Sequence, residues 1–289
     1  MGLTQFIPLP VQDLIRSRIS IRGYDQQVIP IETIKAINSF IPRIPPLFDA
    51  QLRIEILQIP SMEKDSYLKI GSYSVIRGTN TFIAAAHPKG KMNLLNAGYA
   101  LEHVVLYAQS LGLGTCWLVS TFNRDAFTQA MQMRGNEILP AIVSLGYPQQ
   151  GIDLIGGIYR TIANSRTRKT WKDLFFDGNF STSLKTGAAG IMAEALEMVR
   201  LAPSAYNRQP WRIVRDGEVF HFFIYRRTPP ADKPKPGYNV AYIDCGICMA
   251  HFELTAEANG ISGRWVVQEP DIAGKTDELT YVASWIPTE

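Results

Sequence analysis

"NAGYALEHVVLYAQSLGLGTCW", residues 96–117, and "DCGICMAHFELTAEANGISGRW", residues 244–265, are two apolar helical stretches that superpose without a gap. Gly98 falls on Gly246, His103 on His251, Leu106 on Leu254, Ala108 on Ala256, Gly112 on Gly260 and Trp117 on Trp265, at one separation close to half the chain length. Two unrelated apolar helices match by chance at Ala and Leu. They seldom also align two glycines, a histidine and a tryptophan. The pair therefore reads as an internal duplication on the scale of a domain rather than of a solenoid unit. Both stretches end in glycines, where the missing Cβ permits a left-handed cap.

Outward from the first copy, "PIETIKAINSF" predicts a helix opened by Pro30, with Ile31, Ile34 and Ile37 or Ile41 on its apolar side. "QLRIEILQI" alternates like a half-buried strand, "NTFIAAA" reads as a more buried one, and "LPAIVSLGYP" as strand then turn. "NSRTRKTWKDLFFDGNF" reads as a polar, basic connector. Around the second copy, "AGIMAEALEMVRLA" predicts a helix with Ile191, Ala195, Met198, Val199 and Ala202 at apolar spacing, and "WRIV" and "EVFHFFIY" predict strands. "RRTPPADKPKPGYN" is a solvated surface connection, with a lid as the alternative.

The chain has 289 residues, 46% hydrophobic and 19% charged, with a net charge of +3. That is enough apolar material for one large core or two smaller ones. No Lys/Arg-rich tract suited to a phosphate backbone is present, so nucleic acid is not expected as a partner, whereas a small anionic ligand is compatible. Three cysteines argue against a disulfide scaffold and for a reducing compartment. "MGLTQFIPLP" lacks the charged and apolar regions of a secretory signal, and "TFIAAA" is far too short to cross a bilayer. The expected location is the cytoplasm, away from membranes. Cys245 and Cys248 have no further ligands to complete a metal site and read as small buried residues, and His103 and His251 read as core histidines. There is no nucleophile–base arrangement, no G-x-G-x-x-G and no Walker loop.

Two segments carry polar chemistry. Arg18, Ser20 and Arg22 alternate, so an extended backbone projects all three from one face. Two guanidiniums and a hydroxyl suit a phosphate, although the same residues also make an ordinary solvated basic stretch. In "LAPSAYNRQPW", residues 201–211, Pro203 fixes φ and Ser204 places a hydroxyl at a turn. Asn207 and Gln209 follow with amides that both donate and accept, as a flat heterocycle alternating carbonyls with an N–H requires. The alternative is a helix-to-strand loop whose polar groups satisfy one another.

Taken together, "RSRISIRGY", "SLGLGTCW", "SLGYP", "RTRKTWKDLF" and "LAPSAYNRQPW" resemble the signature segments of the nitroreductase superfamily of FMN-dependent oxidoreductases, and among them the thermophile-type branch with two nitroreductase-like halves in one chain. The resemblance implies an α+β fold, a nitroreductase-like α-β-α sandwich internally duplicated as a single-chain pseudo-dimer, with halves at residues 1–175 and 176–289. It places Arg18 and Ser20 at the FMN phosphate, with Arg168 and Lys169 returning to it, and Arg22 toward the N1/O2 edge. It places Pro203, Ser204, Ala205, Asn207 and Gln209 on the ring, and backbone N–H groups of Trp117, Leu118, Val119 and Ser120 near N5, in a stretch one residue longer than the usual pattern. Ile19 stands where the family often has a second basic residue.

Ordinary members form this site between two subunits. Here the first half reads "FIPRIPPLFDAQLRIEI" where the amide segment should be, and the second has "STSLKTGAAG" in place of Arg-x-Ser-x-Arg and "NGISGRW" in place of "LGLGTCW". Each half keeps what the other lost, so one composite site is expected. The implied reaction passes hydride from NADH or NADPH through FMN to a nitro compound, quinone or similar small electron acceptor, with no catalytic side chain or general acid assigned. The alternatives are an FMN storage or sensor protein without turnover, a flavin-consuming enzyme, and a pseudoenzyme.

Overall fold

The computed structural model describes residues 2–59, 76–119, 121–149, 167–226 and 237–288. The first elements are α1 (Val11–Ser17), α2 (Ile31–Phe40), β1 (Arg53–Gln58), β2 (Thr81–Pro88), α3 (Lys91–Ser110), β3 (Gly114–Leu118), α4 (Arg124–Ala130) and β4 (Glu137–Gly146). There follow α5 (Trp171–Leu174), β5 (Phe175–Asp177), β6 (Asn179–Ser183), α6 (Ala193–Leu201), β7 (Trp211–Asp216), β8 (Val219–Tyr225), α7 (Ala241–Ala258), β9 (Gly263–Val266) and β10 (Leu279–Pro287). Pro30 precedes α2, and Gly112 and Gly260 take the left-handed conformation (φ 80° and 76°) just past α3 and α7. No helix among the described residues is long and apolar enough to cross a membrane.

The strands form two sheets. One has the order β1-β2-β4-β3, antiparallel throughout. The other, β6-β5-β7-β8-β10-β9, repeats that order and sense in β7-β8-β10-β9. Its extra member β5 pairs in parallel with β7, Phe175 opposite Ile213. The stretch expected as a polar connector therefore supplies strands: aromatic Phe175 is buried and locks the end of α5 into the core, too briefly for a period to show. Two apolar positions also differ from expectation. Ile31 is exposed at the first turn of α2, and Ile191 is 73% exposed in a 3-10 segment before α6 begins.

Between the sheets lie α3 and α7, with apolar side chains around nearly their whole circumference, as helices buried on every side require. Their contact is close at two glycines. A Cβ on Gly98 would lie 2.0 Å from the carbonyl oxygen of Ile243, and one on Gly246 would lie 1.9 Å from that of Leu95. Each glycine thus meets the residue three before the other, the reciprocity of a two-fold contact. One core of buried residues runs through the seam, from Leu95, Leu101 and Val105 to Met249, Phe252 and Phe222.

A buried polar chain crosses the same seam. His251 Nδ1 lies 2.9 Å from the Met198 carbonyl, and its Nε2 lies 2.9 Å from Glu102 Oε1. A carbonyl can only accept, so Nδ1 carries a proton, and one further proton sits between Nε2 and Glu102. The other Glu102 oxygen accepts from Trp117 Nε1 at 2.8 Å. Its counterpart in the second sheet is Trp265, whose Nε1 donates to Glu253 at 2.9 Å. His103 bonds the Tyr99 carbonyl, and burial lowers its pKa to about 4.

The glycine contacts predict the cost of a single methyl group. Gly98→Ala and Gly246→Ala each drive a Cβ into a backbone carbonyl that no rotamer can avoid, and each should lower stability by about 1–3 kcal/mol. Urea unfolding measures it; an alanine tolerated at both positions without loss would contradict the seam.

Candidate functional site

The basic segment leaves α1 at Arg18 in extended conformation and runs beside the start of β3. Ile21 N–H donates to the Thr115 carbonyl at 2.9 Å, and Ser20 bridges Thr115. A Cβ on Gly114 would lie 2.7 Å from Ile21 Cγ1, so this glycine admits the segment. With Ile21 against Gly114, alternation turns Ser20 and Arg22 away from that contact. All three polar residues are half-buried, and Arg18 Nη1 is buried with no hydrogen-bond partner among the described residues. A buried guanidinium nitrogen left so is costly unless an acceptor reaches it.

Arg168 stands between the amide segment and the field of Arg18. Its Nη1 donates to Asn207 Oδ1 at 3.3 Å and its Nη2 to the Leu201 carbonyl at 3.1 Å. Burial pulls its pKa down to about 10, helped by the positive charges of Arg18 and Arg200. Arg200 is itself paired with Glu197. Arginines crowding one another in a partly dry place suit an anion.

The loop between α6 and β7 holds three non-glycine residues in left-handed conformation: Tyr206 (φ 51°), Asn207 (φ 54°) and Gln209 (φ 47°). Each costs of order 1–3 kcal/mol, and persists only where surroundings over-determine it. Here they do. Gln209 N–H donates to Ser204 Oγ at 2.9 Å, and Lys169 N–H donates to Gln209 Oε1 at 2.7 Å. Gln209 Nε2 donates to Asn207 O and Oδ1, and Asn207 Nδ2 to the Thr167 carbonyl at 2.8 Å. Arg212, buried under Tyr225, donates to the Gln209 carbonyl, and Ala205 N–H donates to Asp244 Oδ1 at 2.9 Å. Both amides therefore knit the loop to residues 167–169, and Gln209 is only 3% exposed. Pro203, Ser204 and Ala205 are half-buried at its start, while the Tyr206 ring stands 72% exposed.

At the end of β3, Trp117 turns its indole N–H inward to Glu102 and Leu118 is buried. The Val119 carbonyl accepts from Arg124 Nη2 at 2.7 Å. The same Arg124 nitrogen donates to the Tyr238 hydroxyl at 2.9 Å, and that hydroxyl donates to the Pro140 carbonyl at 2.5 Å. Ser120 lies outside the described residues, as do residues 227–236 of the proline-rich connection. The structure thus brings Arg18, Arg168, Lys169, Asn207 and Gln209 into one neighbourhood, with Ser20 and Arg22 on the strand-like segment beside β3. Sequence reading missed Arg124, Glu102 and Asp244. The two acids were visible as lone carboxylates inside apolar helical runs, which is the informative kind of buried group. Arg124 sits in an unpatterned polar stretch with no such signal. Among the described residues no cluster of His, Cys, Asp or Glu is placed to hold a metal ion.

Mixed sheets and helices in this arrangement make an α+β protein. The sequence model of the family described as "Putative TM nitroreductase" matches residues 11–256, and the chain belongs to that family. The solved "putative nitroreductase" of Thermotoga maritima is similar in fold, with a TM-score of 0.58 and 19% identity over 96% of this chain and 94% of its own. A nitroreductase with bound FMN from Bacteroides fragilis aligns over 50% of this chain and 92% of its own, 19% identical, at a TM-score of 0.40. A nitroreductase family protein from Clostridium difficile aligns over 55% and 98%, 20% identical, at 0.40. No curated protein matches.

The arginine neighbourhood predicts anion stabilisation. Inorganic phosphate, compared with chloride at equal ionic strength, should raise the unfolding temperature, by about 1.4 kcal/mol of stability at roughly tenfold excess over its Kd. In Arg168→Gln the gain should largely disappear. Equal gains in both proteins would place the anion elsewhere.

Proposed function

We propose that this chain is an FMN-dependent oxidoreductase that takes hydride from NADH or NADPH and passes it to a nitro compound, a quinone or a similar small acceptor. The observation that carries the reading is Arg168, within the field of Arg18 from the start of the chain and hydrogen-bonded to Asn207 from the amide loop. Membership of a nitroreductase family supports the reaction class.

The residues present fit the cofactor. Arg18 Nη1, buried and lacking an acceptor, suits a phosphate oxygen, with Ser20, Arg168 and Lys169 as its company. Arg22 would lie toward the pyrimidine edge, where positive charge favours the reduced, anionic ring. Pro203, Ser204, Ala205, Asn207 and Gln209 would form the ring-edge wall, with the two amides fixing a backbone shape no relaxed loop would hold. Trp117, Leu118, Val119 and Ser120 would offer backbone toward N5, and Arg124 steadies that stretch through the Val119 carbonyl. When bound, FMN supplies the two-electron chemistry that the side chains lack.

We further read the chain as two duplicated halves, residues 1–175 and 176–289, forming a pseudo-dimer that works as a single chain on small molecules in the cytoplasm. The reciprocal glycine contacts and the repeated strand order support this. Where the second half has its amide loop, the first has Ile41, Pro42, Ile44, Pro45 and Pro46 around an apolar cavity of about 440 Å³, with no ring-edge donors in register. One site survives and its mate is dismantled.

Anaerobic mixing of the FMN-loaded protein with NADH or NADPH tests the reductase reading. Prompt loss of the flavin's visible absorbance is the expected result. A flavin that stays oxidised with both donors would refute turnover and leave only a binding protein.

A further inference from the structure

Asp244 lies in the first turn of α7, beneath the amide loop, 4% exposed, with Oδ1 accepting the Ala205 N–H at 2.9 Å. The separation that aligns Gly98 with Gly246 also aligns Asn96 with Asp244. Asn96 does the same work in the first half, its Oδ1 accepting the Leu47 N–H at 2.9 Å from the segment that lines the apolar cavity. A neutral amide is thus sufficient to hold a backbone N–H at this place. The half with the apolar segment uses the amide, and the half with the amide loop uses a carboxyl, whose burial is far more costly.

From this juxtaposition we propose that Asp244 is a positioning residue: its ionised carboxylate fastens Ala205 and so holds residues 203–209 in the shape that receives the flavin ring, making flavin affinity depend on pH. The inference rests on the FMN reading above. Among the charged and titratable groups on the loop, α7, α3 and α6 are Arg208, Cys245, Cys248, Tyr99 and Arg200, with Arg168 beside the loop. Arg208 attracts the carboxylate, Arg168 is turned to Asn207, Tyr99 donates to Glu253, and Arg200 is paired with Glu197. Cys248 feels Asp244 and is itself pushed up by burial. Burial raises the Asp244 pKa to about 7, against the opposing pull of Ala205 N–H and Arg208. The sign follows. Above pH 7 the carboxylate is a strong acceptor and is attracted by Arg208; below it the neutral acid is a weaker acceptor and that attraction lapses.

Two readouts test this on the full-length chain. FMN dissociation constants, from quenching of flavin fluorescence between pH 5.5 and 8.5, should weaken roughly tenfold toward the acid end in the wild type beyond the change seen in Asp244→Asn. The FMN phosphate, titrating near pH ~6, affects both proteins alike. Asp244→Ala should bind weakly at every pH. In the FMN-free chain, protection of the Ala205 amide from hydrogen exchange, corrected for intrinsic rates, should fall below pH 7 in the wild type and stay level in Asp244→Asn. Matching pH profiles for wild type and Asp244→Asn, with FMN bound by both, overturn the inference alone. A wild type that binds no FMN at pH 8 overturns the flavin reading, and the inference with it.

Discussion

The architecture depends on how closely two helices can approach. At Gly98 and Gly246 there is no room for even a β-carbon between the backbones of α3 and α7, and each glycine receives the carbonyl of the residue three before the other. That contact fixes both helices, and the sheets they carry follow. It places the start of β3, with the basic segment beside it, near the loop that leads into β7. Close packing transmits such a constraint because a core does not deform continuously. The polar chain from Met198 through His251 and Glu102 to Trp117 adds direction to the seam, since buried hydrogen bonds are satisfied in one register only.

The site then follows from electrostatics and backbone strain. Arg18 and Arg168 come from positions far apart in sequence, and the charge of Arg18 adds to the burial that lowers the Arg168 pKa. The amide loop is held in three left-handed residues by bonds to Thr167, Lys169, Ser204, Arg212 and Asp244. Neither feature helps a chain whose only task is to stay folded. Both become reasonable beside an anionic, planar ligand.

Much of the fold was legible in the sequence because the signals were long or had a physical cause. The helices of α3 and α7 announced themselves by apolar content and glycine caps, and β1, β2, β4, β7 and β8 by composition and alternation. The nine-residue strand β10 was not read from the sequence, and the short strands β3, β5, β6 and β9 were not legible. They are three to five residues long, and what makes them strands is their neighbours: Thr115 beside Leu145, Phe175 beside Ile213, Trp265 beside Trp285. Ile191 misled the reading because helical spacing continues through a segment where Gly190 takes a non-helical conformation. For the site, the basic and amide segments were recognisable by residue type. That Asn207 and Gln209 bond to residues 167–169 and to each other was not, because the partners in 167–169, two backbone groups and one guanidinium, lie some forty positions away. Asp244 and Glu102 were missed for the related reason that a buried acid acquires meaning only from what it touches.

The most direct test of a single composite site is the flavin content of the purified protein, read from its visible spectrum against chain concentration. One equivalent of FMN per chain is the expected result. Two equivalents would mean that both halves retain a complete site, and a colourless protein that cannot be reconstituted with FMN would mean that the arginines and the amide loop do not share a ligand.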